Sequence, residues 1–114
     1  MFNVKRFREL ERLHRHYDRT YAFEVPGVME RHWEELTRLL VEDMDATIIY
    51  LKSSAVTADE IADVSEVFDD VMEVCPSREF IEAVRFAAKR FPEMCQNYNI
   101  LALLDAAERM IPKA

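Results

Sequence analysis

Residues 57–75 read TADEIADVSEVFDDVMEVC. Ile61, Val64, Phe68, Val71 and Cys75 recur at spacings of three and four, the period of one helix face. Asp59, Asp63, Glu66, Asp70 and Glu73 recur the same way, and at about 100° per residue the two stripes lie roughly 160° apart. Thr57 and Glu60 stand in capping-box register, in which each side chain satisfies a backbone N–H that the helix leaves open. The spacing therefore predicts one continuous helix over 57–75, with an apolar back and a carboxylate front. No Lys or Arg lies between Lys52 and Arg78 to relieve that front. Four successive like-charge pairs cost such a helix roughly 1–2 kcal/mol. The macrodipole accepts Asp59 and Glu60 at the N-terminus and opposes Asp70 and Glu73 near the C-terminus. Two readings stay open: a solvated face, or a surface that docks on something basic.

The rest of the chain has the same helical character. Its 114 residues suit one domain, 1–114, and half of them are hydrophobic, enough for a core. With one Gly, four Pro and no Asn-Gly or Asp-Gly, there is little hairpin chemistry. The expected fold is all-α, a bundle of five to six helices with short loops. The net charge of −7 is concentrated: residues 39–76 carry one Lys/Arg and ten Asp/Glu, while the segments on either side carry +1 each. Such a field repels nucleic acid and anionic membrane and speeds encounter with a cationic partner. No run of apolar residues reaches the ~20 of a membrane span. MFNVKRFREL has charges where a signal peptide has its apolar core, so the expected compartment is the cytoplasm.

Asn3 is a candidate N-cap for a first helix over about 3–22. On it Phe7, Leu10, His14, Tyr17 and Tyr21 share a face beside a stripe of Arg8, Arg12, Arg15 and Arg19. That stripe has the period of the acid row, which makes pairing within the chain or across a homodimer the rival to an external basic partner. Pro26 suits a first helical position, and a 3.6-residue rhythm then runs from Val28 to about Ser53, with a break expected near Asp43–Asp45. Trp33 reads as a core or groove anchor. Ser77 can cap a helix that buries Phe80, Ile81, Val84, Ala87, Ala88 and Phe91. A short turn of helix is expected over Met94–Asn99, and a last helix from Ile100 is closed by Pro112.

Catalytic constellations are not visible. One Gly excludes the Gly-rich phosphate loops. Glu11-x-x-His14 is half of a di-iron helix motif, but no second Glu-x-x-His occurs. Cys75 and Cys95 read as buried reduced thiols. The expectation is a protein that is not an enzyme, with no cofactor and no metal.

A small, acidic, all-helical chain with one concentrated carboxylate face resembles the bacterial immunity proteins that neutralise nuclease toxins, including those of contact-dependent inhibition. The likeness rests on SEVFDDVMEVCPSREFIEAVRFAAKRF, residues 65–91, and the acid row before it. It implies a basic toxin domain as partner, with the immunity protein covering its active or substrate-binding face. A nuclease groove is rich in Lys and Arg because it holds phosphates, so a row of carboxylates about 5–6 Å apart fits it. The candidate partner-binding residues are Asp59, Asp63, Glu66, Asp69, Asp70 and Glu73, with Val67, Met72, Val74 and Tyr50 as candidate apolar anchors.

Overall fold

A computed structural model describes residues 2–21 and 24–111. Among these residues the chain is all-helical: α1 Val4–Thr20, α2 Val28–Glu42, α3 Met44–Lys52, α4 Ala58–Glu66, α5 Phe68–Val74, α6 Arg78–Ala88, α7 Pro92–Asn97 and α8 Ile100–Met110. Eight helices replace the expected five to six, because two long periodic stretches are each broken once and the segment after Phe91 forms a helix of its own. None of them is long and apolar enough to cross a membrane.

The break expected near Asp43–Asp45 falls at Asp43, which ends α2 and caps α3 by accepting the Ala46 N–H. Thr47 supports the bend from inside: its hydroxyl donates to the Leu40 carbonyl at 2.7 Å in full burial. Pro26 lies in the turn before α2 rather than at its first position. Gly27 is the N-cap there, and its φ of +87° is a conformation that favours glycine. The caps at Asn3, Thr57 and Ser77 form as their spacing indicates, each accepting a backbone N–H three residues on. Pro92 opens α7. Pro112 lies outside the described residues.

The expected continuous helix over 57–75 is divided at Val67, whose φ of −105° and ψ of 9° leave the helical region. Val67 and Phe68 are both fully buried, although adjacent positions on a straight helix point about 100° apart. The bend turns both into the core. It also removes part of the electrostatic cost read from the sequence. Asp69 and Asp70, which the macrodipole would oppose late in one helix, now occupy the first turn of α5, where it favours them.

The centre of the bundle is α6. Ala83, Ala87 and Ala88 are fully buried, and their small side chains let α3, α4, α7 and α8 close on it. Phe80 stacks on Phe68 at 5.5 Å between centroids, which ties α6 to α5. Arg85 bridges α6 to α8 through Asp105 at 3.2 Å and Glu108 at 2.8 Å, and also pairs with Glu82. Tyr50, Phe2 and Phe7 join α3 to α1 and the residues before it by edge and stacked contacts. α1 packs on α2, and α2 packs on α5. This arrangement sets the acid row between α1 on one side and α2 on the other.

Candidate functional site

The bend at Val67 splits the acid row into two halves with different surroundings. In the first half, on α4, the carboxylates meet α1. Asp59 pairs with Arg15 at 3.4 Å, and Arg15 also holds Glu11 at 2.7 Å. Glu60, almost wholly buried, accepts the Tyr50 hydroxyl at 2.6 Å and the Thr57 N–H at 3.0 Å on one oxygen, and Arg8 at 3.4 Å on the other. A buried carboxylate is tolerated when its lone pairs are filled in this way.

Asp63 is buried as well. Its Oδ1 lies 3.1 Å from Nδ1 of His14, and the other ring nitrogen of His14 faces Glu66 at 3.7 Å and Asp18 at 3.9 Å. The bond to Asp63 holds the His14 imidazole up at about 9, against the downward pull of burial, with Glu66 and Asp18 adding to the rise. Across from it, His32 stacks on the His14 ring at 5.4 Å. Burial and the His14 charge push its imidazole below the ordinary value. Burial raises the Glu66 carboxyl, and the indole N–H of Trp33 donates to it at 3.2 Å. Glu11 sits one turn before His14 on α1. Burial, then Asp63 and Glu60, push it up to about 7, and its Oε2 has no hydrogen-bond partner among the described residues.

In the second half, on α5, Asp69, Asp70 and Glu73 are exposed and form no ion pair with a described residue. Asp70, Glu73 and Val74 make one wall of an open groove of about 640 Å³; Glu30, Trp33, Glu34, Thr37, Arg38 and Val41 of α2 complete it. Four carboxylates thus stand against one guanidinium around an apolar strip. Thr37 is about nine-tenths buried at this groove, and its hydroxyl oxygen has no hydrogen-bond partner among the described residues. Trp33 separates the halves: its N–H is spent on Glu66, and it lines the groove.

Of the six candidate partner-binding residues, then, Asp63 and Glu66 are engaged by His14 and Trp33, Asp59 pairs with Arg15 yet stays 73% exposed, and Asp69, Asp70 and Glu73 face solvent with no ion pair to a described residue. Among the candidate anchors, Val67 and Tyr50 are core residues and offer no surface. Their apolar bulk, which suggested an anchor, is what places them inside. Met72 is half-buried against the core, and Val74 remains 64% exposed in the groove. The α2 wall lies outside the acid row read from the sequence, although Glu30, Glu34, Thr37 and Val41 follow one another at helical spacing. Cys75 and Cys95 are free thiols, Cys95 buried and Cys75 half-buried. No family model, no curated protein and no solved structure matches the chain.

Proposed function

We propose that the protein is a binding protein of the immunity type, an inhibitor that docks on a basic protein domain through the groove between α2 and α5. The observation that supports this most is the composition of that groove. Glu30, Glu34, Asp70 and Glu73 surround Trp33, Val41 and Val74, with Arg38 the one cation among the described lining residues. Carboxylates around an apolar strip supply both parts of a specific interface, a charged rim that speeds encounter and a desolvated centre that holds. A nuclease toxin domain fits this chemistry because its phosphate-binding surface presents Lys and Arg.

The alternative is a self-associating helical adaptor that pairs the Arg stripe of one copy with the acid row of another. Arg12 and Arg19 support it, since neither forms an ion pair with a described residue. Arg8 and Arg15 weigh against it, because both are already engaged within the chain. Mass measured in solution at low and high salt separates the two: a dimer that dissociates as salt rises supports the adaptor, and a monomer at both supports the inhibitor. For the inhibitor, the test is whether the C-terminal domain encoded by the neighbouring open reading frame is a nuclease that the purified protein binds and inhibits. A monomer that neither binds nor inhibits it contradicts the proposal.

A further inference from the structure

Trp33 belongs both to the groove and to the seam between α1 and α4. It lines the groove, and its indole N–H donates to Glu66 at 3.2 Å. Glu66 in turn lies 3.7 Å from Nε2 of His14, whose Nδ1 is 3.1 Å from Asp63. His32, the residue before Trp33 on α2, stacks on the same His14 ring at 5.4 Å. Glu66 stands in a costly place. It is the last residue of α4, where the helix dipole opposes a carboxylate. Burial, then Asp63 and Asp18, push its carboxyl above the ordinary value, while the His14 charge and the Trp33 N–H favour its ionised form. A neutral side chain there would relieve the repulsion. What the carboxylate supplies instead is a strong, directed acceptor for one N–H.

We infer that Glu66 is a positioning residue for Trp33, held in place by His14, so that docking at the groove is set from the α1–α4 seam. This rests on the groove being the docking surface. An indole has a single donor, and a charged acceptor fixes where its N–H edge lies. A ring already fixed loses little freedom when a partner covers it, whereas ordering a free one costs about two- to tenfold in affinity. Dependence on pH follows. When Glu66 takes up a proton, it loses its attraction to His14 and becomes a weaker acceptor. When His14, held at about 9, gives up its proton, Glu66 loses its cation. The other charges facing the pair are Asp63 on α4 and Asp18 on α1. On the α2 side stands His32, pushed below its ordinary value by burial and by His14, with Asp63, Glu35 and Arg6 also acting on it. Docking is strongest between the two proton transfers of Glu66 and His14.

Trp33 is the chain's single tryptophan, so its indole N–H gives one resonance in a proton–nitrogen correlation spectrum. That resonance is followed from acid to alkaline pH, with circular dichroism recorded on every variant. The expected profile has one step on the acid side and a second near pH 9. Glu66→Gln keeps an acceptor for the N–H and should abolish the acid step, while His32→Gln should leave it in place. His14→Gln should abolish the alkaline step, and Glu66→Gln carries the test if that variant does not fold. Binding of the domain encoded by the neighbouring open reading frame, measured near neutral pH, should weaken about two- to tenfold in Glu66→Ala and be partly restored in Glu66→Gln. A resonance that ignores Glu66→Gln, or an acid step lost only in His32→Gln, overturns the positioning. So does full affinity in Glu66→Ala. A resonance that follows Glu66 in a chain that does not bind the domain supports the positioning of Trp33 and overturns the groove as the docking surface.

Discussion

Nδ1 of His14 lies 3.1 Å from Oδ1 of Asp63, and this hydrogen bond joins the middle of α1 to the middle of α4. It determines which acids of the row are left for another molecule. Asp63 faces inward to meet His14, Glu66 is drawn between His14 and Trp33, and the chain bends at Val67 before the next acids appear.

The His14 bond makes stability depend on pH in a defined direction. Its folded-state value of about 9 lies above the ordinary 6.5, so its stabilisation is complete below about pH 6.5 and is lost as pH rises through 9. Asp63, Glu66 and Asp18 face the ring as carboxylates, and His32, stacked on it, resists protonation. Allowing for solvent screening, the loss is about 1–2 kcal/mol. Glu11 acts in the same sense at lower pH: raised to about 7, it favours the folded state below 4.5 and loses that contribution as pH rises through 7. Urea midpoints should fall from pH 6.5 to 9, and His14→Gln should flatten the fall. A midpoint that rises over this range means the imidazole is not held by Asp63.

Tyr50→Phe should destabilise by about 1–3 kcal/mol with little change of shape. The hydroxyl donates to a carboxylate that is almost wholly buried, and its removal leaves Glu60 one donor short. Chemical denaturation measures the loss. A difference below about 0.5 kcal/mol would mean that water reaches Glu60 instead.

Phe68→Ala should cost about 3–5 kcal/mol, because the ring is fully buried and stacks on Phe80. Val74→Ala, at a position 64% exposed, should change stability by less than about 0.5 kcal/mol. Similar losses for the two variants would place Val74 in the core and remove it from the groove.

Asp63→Lys and Asp70→Lys, two members of one sequence stripe, should behave oppositely. The first sets a cation against His14 in a buried seam and should destabilise by about 3 kcal/mol or more. The second changes an exposed groove residue and should leave the melting curve within a degree or two. Thermal unfolding of both decides whether the row is divided as described.

The helical class was legible in the spacing of Ile61, Val64, Phe68 and Val71, and the caps at Asn3, Thr57 and Ser77 were legible in their own residues, because these signals are local. The bend at Val67 was not, since it follows from burying Val67 and Phe68 together, a demand set by α2 and α6 rather than by the neighbours in sequence. The exposure of the acid row was half legible for a similar reason. The periodicity of Asp59, Asp63, Glu66, Asp70 and Glu73 places them on one face, but which of them meets α1 depends on a contact between residues 49 positions apart. Glu30 and Glu34 joined the groove only when α2 came to lie beside α5.

The most direct test of the inhibitor proposal is a calorimetric titration of the neighbouring gene's C-terminal domain with the unaltered chain and with Asp70→Lys plus Glu73→Lys, at low and physiological salt. The expected result is a one-to-one complex, weakened by salt, whose affinity falls by about 2–4 kcal/mol in the double variant while its fold is retained. Equal affinity for the unaltered chain and the double variant would contradict docking through the groove.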